Sequence, residues 1–447
     1  MSPADPFSLS PGSRPVPPPS PEVRSEQHHR TMEQHRAAIL SHVLPLETEV
    51  IPVDVDSLSR TLATDHTVIN AIPPFDNSAM DGFLMHRADL NPSGTVTLDV
   101  MGDVAAGDAP RIPSLGSAVR IMTGAPVDTS TADLVIVPVE YTNIAPGPQP
   151  LPEKVQVNNF DAAKLHIRRK GESLQVGSRC ANAGQQVDIG LLSTLISAGI
   201  AEVEAYKAPR VAVISTGKEL RPTGAALAPG KIPDSNSPMI AALVRAWGPS
   251  QTTIVHSDDS PEQLRELFEH VGADHDLIIT TGGVAVGVYD VVREVLVNHT
   301  AQAWFGRVEH KPGSHQGFSV WATNDGRSIP VVSLPGNPVA AFISFALYVQ
   351  PVLDKLGGHP ESAKPRKIEA QLMGEAPTSG DRDVFIPAIV DFTTLPTTVT
   401  PFNGRHVGSH MISALVGVNS ILHVVSGDQP HHEGDMVEVT LLPTITG

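Results

Sequence analysis

The stretch from Arg210 to Gly358 constrains the fold most, because apolar strand-like runs alternate there with helix-like runs. The strand-like runs are RVAVIST, DLIITTGG and IPVVSLPG, and the helix-like runs are SNSPMIAALVRAWG, SPEQLRELFEHV and NPVAAFISFALYVQPVLDKL. Such alternation predicts a doubly wound α/β domain with a parallel sheet. Ligands of this architecture bind beyond the carboxyl ends of the strands. All three strand-like runs end in small turn residues, so a site is expected at that edge.

The rest of the chain divides around this region by composition. Residues 1–28 are dominated by Pro and Ser and predict a disordered tail. Residues 29–206 begin with a helical pattern and continue in short β-like runs, which predict β-rich N-terminal and linker subdomains. The α/β domain is placed at residues 207–358, and residues 364–447 predict a small C-terminal β-barrel or sandwich. The expected fold class is therefore α/β plus β in several domains, as suits 447 residues.

Charge and cysteine content exclude several classes of function. The chain has 31 basic and 48 acidic residues and a formal net charge of -17. Such a surface repels a nucleic acid backbone or an anionic membrane, so neither is an expected partner. Cys180 is the only cysteine, which rules out an intramolecular disulfide. With no signal pattern and no apolar run of membrane-spanning length, a cytoplasmic protein without membrane insertion is predicted.

Two glycine-containing turns resemble nucleotide-binding loops but fail on spacing. In the stretch VAVISTGKEL, a phosphate-binding P-loop would need glycine at Ala212 and Ser or Thr at Glu219. In GGVAVG, Val284 stands where a dinucleotide-binding fingerprint requires glycine. The sequence therefore predicts neither kind of nucleotide loop.

Acidic residues at the predicted strand ends are better candidates for a site. Glu219 follows one strand, Asp290 follows the Thr-Thr-Gly-Gly turn, and Asp258 with Asp259 lies at another probable strand end. If these carboxylates converge above the sheet, they would hold a phosphate only through a divalent cation, and magnesium prefers oxygen ligands. The alternative is that they are helix N-caps and solvated loop charges.

The stretch VVSLPGNPVAAF offers a second kind of site. Asn337 can cap the helix that Pro338 begins, and the exposed amides of that first turn would form an anion site. The alternative is a purely structural turn that needs Gly336.

Several segments together resemble the molybdopterin molybdenumtransferase family, whose eukaryotic relative is the E domain of gephyrin. They follow the family's order from about residue 29 to the C-terminus. The matching segments are PPFDNSAMDGF, RIMTGAPV, IRRKGE, VAVISTGKEL, IPDSNSPMI, TTGGVAVGVYD, HKPG, SLPGNPVAA and GSHMISAL.

The resemblance implies a molybdopterin-binding α/β domain within an elongated homodimer of four-domain subunits. The site would lie between this domain of one subunit and the SAMDG region of the other. The implied reaction takes adenylylated molybdopterin and molybdate, hydrolyses the adenylyl phosphoanhydride with Mg²⁺, and gives molybdenum cofactor and AMP.

The acidic positions of the family's site match four residues of this chain. Asp81 of SAMDG, Glu219, Asp258 and Asp290 stand at these positions. The resemblance implies that Asp81, Glu219 and Asp290 are catalytic and position magnesium together with the attacking group. Asp258 is expected to contact the substrate.

Hydroxyl and basic positions of the family's site also match. Thr123 and Ser409 stand at the hydroxyl positions, and the resemblance implies that they bind substrate. Lys311 and Arg382 stand at the basic positions. Lys311 and Arg382 are expected to hold phosphate or molybdate, since oxyanions bind cations and short donors.

At four places near the expected site the sequence departs from the family pattern. Lys218 and Ser173 stand where relatives usually have acids, Arg307 replaces a lysine, and Ser314 with His315 replaces a basic-Pro pair. These changes lower the number of acids and lysines near the site and put catalysis in question. An alternative function is therefore a gephyrin-like dimeric scaffold that binds a peptide of a membrane or cytoskeletal partner.

Histidine pairs such as His28-His29 and His431-His432 show no metal-ligand spacing, and neither do His406 and His410. No metal binding is expected from them, and Cys180 is expected to be a small structural residue.

Overall fold

Two units make up the computed structural model, which describes residues 29–91, 94–257, 260–284, 290–360, 366–378, 380–402 and 408–442. The β unit is Glu47–Lys207, and the α/β unit combines the segment that ends at Leu46 with the chain from Ala208 onward. The sequence had grouped residues 29–46 with the region up to residue 206. In the structure this segment packs in the α/β unit, where Ile39 and Val43 are buried in its main core cluster.

The α/β unit is built on a seven-stranded sheet with the order β1-β5-β6-β7-β4-β2-β3. In chain order, its strands are β1 His29–Arg30, β2 Arg210–Thr216, β3 Gln251–Ser257, β4 Leu277–Thr281, β5 Ala303–Val308, β6 His315–Ala322 and β7 Ser328–Leu334. β6 is antiparallel to β5 and β7, and the other pairs are parallel. The three strands that the sequence predicted, β2, β4 and β7, are parallel as expected. β6 was not predicted, and it is antiparallel because the short connections 309–314 and 323–327 permit only antiparallel neighbours.

Helices cover this sheet, and all of them except α4 stand at positions that the sequence pattern predicts. They are α1 Met32–Leu40, α2 Asn236–Trp247, α3 Pro261–Asp274, α4 Val291–His299, α5 Pro338–Ser344 and α6 Gln350–Leu356. A π-helical turn, Phe345–Val349, joins α5 to α6. By length and composition the continuous helix Pro338–Leu356 could cross a membrane, but 72% of it is buried inside the protein. It is therefore placed as a core helix, and Tyr348 in its π-helical turn is fully buried.

A closed five-stranded barrel forms the C-terminal part of the α/β unit. Its strands are Lys367–Leu372, Asp383–Asp391, Thr398–Pro401, Ser420–Val424 and Met436–Leu441. The barrel closes because Asp383–Asp391 pairs with both Thr398–Pro401 and Ser420–Val424. The short strand His310–Lys311 adds to its outside, in parallel with Asp383–Asp391. Of the two predicted architectures, the barrel is the one that forms, and closure removes exposed strand edges.

The β unit contains a five-stranded sheet, a helix and three two-stranded pairs. The sheet order is Leu134–Pro138, Gly82–His86, Ser117–Ile121, Thr95–Val104 and Lys154–Asn158, and the helix is Ile189–Ser197. The pairs are Thr48–Pro52 with Glu202–Tyr206, His66–Thr67 with Arg179–Ala181, and Asn77–Ser78 with Ile167–Arg168. The two ends of the unit meet, since Lys207 N donates to Glu47 O at 2.9 Å. Short elements complete both units: the pair Leu220–Arg221 with Ile232–Pro233, and the 3-10 helices Val55–Ser57, Arg87–Asp89, Val139–Tyr141 and Ile412–Leu415.

Candidate functional site

One edge of the seven-stranded sheet collects most of the predicted site residues. β2, β3, β4, β5 and β7 all run in one direction, so their carboxyl ends lie at the same edge. The connections that leave this edge carry Glu219 after β2, Asp290 after β4, Lys311 after β5 and Asn337 after β7. β5 and β2 are four strand spacings apart, so the connections of Lys311 and Glu219 begin about 19 Å from each other.

The Glu219 carboxylate folds back over Gly217. A Cβ built on Gly217 would lie 2.7 Å from Glu219 Oε2, and Gly217 has a φ of +150°. The turn is tied to strand Ile232–Pro233, because Ile232 N donates to Glu219 O at 2.9 Å. None of the described residues donates a hydrogen bond to this exposed carboxylate. Its oxygen atoms can therefore bind an external ligand.

Asp290 begins helix α4 at the same edge. It occupies the N-cap position, but its side chain makes no capping hydrogen bond. The Asp290 side chain therefore does not cap the helix, which was the alternative interpretation of this residue. Burial and the positive Arg307 lower the pKa of His315, and the negative charge of Asp290 opposes this shift. The charge of Asp290 therefore acts on His315, the first residue of β6. Asp258 and Asp259, which follow β3, lie outside the described residues.

The turn at Asn337 is closed by a segment from further along the chain. The Asn337 side chain does not cap α5, and its Nδ2 donates instead to Ser409 Oγ at 2.8 Å. Val339 N in the first helical turn donates to Ser409 O at 3.0 Å. The predicted open anion site is therefore wrong in this form, because residue 409 already uses one of the amides. Gly336 has no positive φ, so the alternative of a glycine-dependent turn receives no support there.

Lys311 and Arg382 lie close together in the backbone pairing. His310 pairs with Asp383 and Lys311 pairs with Val384, and Arg382 directly precedes this strand. Arg382 Nε lies 3.5 Å from Asp381 Oδ2. The Lys311 side chain is exposed and forms no hydrogen bond or ion pair with the described part of the chain. Lys311 and Arg382, the two residues predicted to bind an oxyanion, therefore lie at one end of the sheet edge.

Asp81 and Thr123 form a second polar group, in the β unit. Gly82 pairs with Ile121 in antiparallel register, so the residues flanking these positions meet. Asp81 Oδ1 accepts hydrogen bonds from Thr123 N at 2.7 Å and from Thr123 Oγ1 at 2.9 Å. Glycine is required after Asp81, since a Cβ on Gly82 would lie 2.1 Å from Val137 O. One carboxylate oxygen is thus held in place, and Oδ2 is left for a ligand.

The sequence did not single out Asp76, five residues before Asp81. Its carboxylate accepts hydrogen bonds from Thr129 Oγ1 at 2.6 Å, Arg169 NH1 at 2.7 Å and Lys170 N at 2.7 Å. Burial opposes ionisation, but these hydrogen bonds and the Arg169 charge outweigh it and lower the pKa of Asp76. Asp76 is saturated by the protein and therefore holds the RRKGE loop, whereas Asp81 is not. The family pattern matches Asp81 and gives no role to Asp76.

The four departures from the family pattern have distinct local contacts. The exposed Lys218 contributes its carbonyl, which accepts from Lys231 Nζ at 2.8 Å. Arg307 Nε donates to His315 Nε2 at 3.4 Å. Ser173 N donates to Ile72 O at 3.0 Å, and Ser314 O accepts from Val308 N at 2.7 Å. Ser173 and Ser314 therefore use backbone groups, which any residue at those positions would supply.

The carboxylates of the candidate site are oxygen ligands, the kind that magnesium prefers. Among the described residues, no group of three or more His, Cys, Asp or Glu side chains is close enough to hold a metal ion by itself. Magnesium commonly binds through one or two carboxylates together with substrate phosphates and water. Glu219 and Asp81 each keep carboxylate oxygen atoms that the described protein does not occupy. Their chemistry therefore fits a metal that arrives with a phosphorylated ligand.

Two family models match the chain. The first, "MoeA N-terminal region (domain I and II)", matches residues 30–199. The second, "Probable molybdopterin binding domain", matches residues 212–355. Together they cover most of the β unit and of the seven-stranded sheet.

Individual relatives and solved structures agree with these matches. Molybdopterin molybdenumtransferase 2 of Mycobacterium tuberculosis is 34% identical over 363 residues, which are 79% of this chain and 85% of the relative. The molybdopterin molybdenumtransferase of Staphylococcus epidermidis is 30% identical over 390 residues, covering 86% of this chain and 89% of the relative. The crystal structure of the molybdopterin biosynthesis moeA protein from Pyrococcus horikoshii OT3 has a TM-score of 0.71 and 23% identity, and covers 92% of this chain and 99% of that chain. This last similarity concerns the fold.

Proposed function

The chain belongs to the molybdopterin molybdenumtransferase family of molybdenum cofactor biosynthesis enzymes, and from this premise we propose that it inserts molybdenum into adenylylated molybdopterin. The substrates are adenylylated molybdopterin and molybdate, and the products are molybdenum cofactor and AMP. The reaction breaks the adenylyl phosphoanhydride by hydrolysis. The observation that carries the proposal is the sheet edge, where the unoccupied Glu219 carboxylate and the exposed Lys311 follow strands of one direction.

We assign the acids to metal binding and the bases to anion binding. In the homodimer that the resemblance implies, Glu219 and Asp290 of one subunit would hold Mg²⁺ together with the partner subunit's Asp81, and the bound ion would offset negative charge on the phosphoanhydride. Thr123 keeps Asp81 oriented through its two donors to Oδ1. Lys311 and Arg382 bind the phosphate or molybdate oxygens, and Ser409, fixed by Asn337, adds a short donor. Asp258 remains a substrate-binding candidate by its position after β3.

Two further assignments follow from the family resemblance. We propose that the protein works as a homodimer in the cytoplasm, and sedimentation equilibrium would measure the subunit number. A monomer with full activity would contradict the dimer assignment. The scaffold alternative receives no support from the relatives, which are named as transferases.

The proposed reaction is tested by AMP release and molybdenum incorporation with purified protein. Glu219→Gln and Asp290→Asn remove one charge each with almost no change in shape, and each should lower the rate at least about 100-fold. Glu266→Gln is the matched control, because Glu266 is an exposed acid on helix α3. Removal of Mg²⁺ by a chelator should stop AMP release, and added Mg²⁺ should restore it. Full activity in either site variant would overturn that residue's assignment.

A further inference from the structure

Three consecutive carbonyl oxygens in the turn after Lys311 are each held by a specific donor. His310 Nδ1 lies 3.0 Å from Pro312 O, and Gln316 Nε2 donates to Gly313 O at 2.6 Å. Val308 N donates to Ser314 O at 2.7 Å. We call residues 311–314 the lysine turn. Its backbone is fixed on one side by two side chains and on the other by strand β5.

His310 is suited to act as a permanent donor in this arrangement. Its side chain is fully buried, and its ring lies 5.8 Å from that of Tyr348 and 5.9 Å from that of Phe385, measured between ring centroids. Burial lowers the pKa of His310 to about 4, so the imidazole is neutral at pH 7. Since a carbonyl oxygen only accepts, the single proton of the neutral ring lies on Nδ1.

Gln316 connects the same turn to the core helix. The side chain is fully buried, and Nε2 also donates to Ser344 Oγ at 2.6 Å. Gly313 has a φ of +82°, and a Cβ there would lie 3.1 Å from Ala340 Cβ and 3.1 Å from Ser344 Oγ. The lysine turn therefore packs against helix α5 with no space for a side chain at Gly313.

The Lys311 side chain contrasts with this fixed backbone. Lys311 is exposed, while its backbone pairs with Val384 of the barrel. The ammonium group forms no ion pair with the described residues. The fully buried side chains of His310 and Gln316 thus hold the turn that begins at Lys311, and the Lys311 ammonium group remains available to a ligand. A packing role alone would not require both side chains to be polar.

We infer that His310 and Gln316 are positioning residues that hold Lys311 in place for an anionic substrate group. The inference rests on the proposed function, in which Lys311 binds phosphate or molybdate. Neither side chain touches the substrate. Both act through the carbonyl oxygens of the lysine turn. The conformational entropy of this turn is therefore lost when the protein folds and not when the substrate binds.

The test uses two readouts on the full chain. His310→Phe removes the donor and keeps a ring, and Gln316→Met removes the donor and keeps the length. Each should raise the KM for molybdate or adenylylated molybdopterin about tenfold and change kcat by less than about threefold. His310→Asn should keep KM within about threefold of the wild-type value, because the Asn amide can donate to Pro312 O.

The second readout is amide hydrogen exchange in residues 308–316. Exchange should rise at least about tenfold in His310→Phe and stay near wild type in His310→Asn. His275→Phe is the matched control, since His275 Nδ1 also lies near a carbonyl oxygen, 2.8 Å from Val271 O, at the end of helix α3. It should leave both KM and the exchange of residues 308–316 unchanged.

Combination with Lys311→Ala separates positioning from general stability. In that background His310→Phe should raise KM no further, because the residue through which it acts is gone. A further tenfold rise would overturn the inference, and so would unchanged exchange in both His310→Phe and Gln316→Met. If exchange rises but Lys311→Ala has wild-type KM, the turn is positioned as inferred and the substrate-binding role of Lys311 is the part that fails.

Discussion

The turn of Asp81 in the β unit and the turn of Glu219 in the α/β unit place an exposed acid beside a glycine in two different ways. Asp81 is anchored by both donors of Thr123, and Gly82 is required by the approach of Val137 O. Glu219 has no such anchor among the described residues, and Gly217 is crowded by the carboxylate of Glu219 itself. One acid is therefore set in position before any ligand binds. The other is free to adjust to a ligand, and the two should respond differently to substitution.

Asp81→Asn should have the largest effect on this comparison. The amide oxygen can still accept from Thr123, so the turn should persist while the negative charge is lost. We expect a loss of about 3 kcal/mol in transition-state stabilisation, or more than 100-fold in kcat/KM. The measurement is the rate of AMP release, with circular dichroism as the check on folding. Less than about fivefold loss would show that the anchored acid is only structural.

Asp76→Asn should lower the stability of the RRKGE loop rather than change the activity of the enzyme. It removes a charged acceptor of three hydrogen bonds, which we expect to cost about 2 kcal/mol. Because the folded pKa of Asp76 is lowered, its contribution is present above the unfolded value, near 3.9, and is lost as the pH falls through the folded value. Hydrogen exchange of residues 167–172 at pH 7 measures this loss of local stability. Unchanged protection in the variant would show that this carboxylate does not hold the loop.

Gly217→Ala should displace the acid that lacks an anchor. The new methyl group would lie 2.7 Å from Glu219 Oε2, and a φ of +150° disfavours alanine. The carboxylate can move away at small cost, so we expect a roughly tenfold loss of activity and a smaller loss of stability. Gly224→Ala is a matched control, because its φ is +84° but no atom lies within 4 Å of the added Cβ. Equal losses in both variants would assign the effect to backbone strain alone.

Thr123→Ala should loosen the anchored acid without removing it. The backbone amide of residue 123 still donates to Asp81, so only one of two hydrogen bonds is lost. We expect about 1 kcal/mol, or roughly fivefold in kcat/KM. A loss as large as that of Asp81→Asn would indicate that the Thr123 hydroxyl itself contacts substrate.

Lys218→Asp should have the smallest effect. The Lys218 side chain is exposed, and exposed charges interact weakly through water and salt. Its carbonyl contacts with Lys231 and Arg221 do not depend on the side chain. We expect less than about threefold change in activity and in the Mg²⁺ concentration for half-maximal rate. A larger gain would show that this departure from the family pattern weakens metal binding next to Glu219.

The sequence was sufficient for features that depend on local pattern. The apolar runs at β2, β4 and β7 predicted the strands, and small residues after them predicted the edge where Glu219 and Asp290 lie. The sequence predicted helix α1 at the position where it is found. Its place in the α/β unit, however, depends on partners far along the chain, such as β5, which pairs with His29–Arg30. Periodicity carries no information about such a distant partner. For the same reason, the antiparallel β6 was not expected.

Side-chain contacts across the fold were the part that sequence could not supply. The first turn of α5 looked open because Ser409, which takes one of its amides, lies far along the chain. Asp76 stands in the same motif as Asp81, but its role is visible only once Thr129 and Arg169 are placed beside it. His310 and Gln316 gave no signal, because a positioning role depends on which carbonyl oxygens they reach.

The insertion of the β unit between Leu46 and Ala208 has a consequence for the order of folding during synthesis. Helix α1 leaves the ribosome before the β unit, but its partners β5 and α6 are made only after that unit is complete. In the folded protein the ring of His35 contacts Trp304 of β5, and Leu40 O accepts from Lys355 Nζ of α6. At roughly 5–20 residues per second, α1 waits at least about 10 s without its sheet. The adjacent ends at Glu47 and Lys207 let the intervening unit fold as a closed piece in that interval. The nascent chain therefore carries helix α1, with Ile39 not yet buried, through the whole synthesis of the β unit.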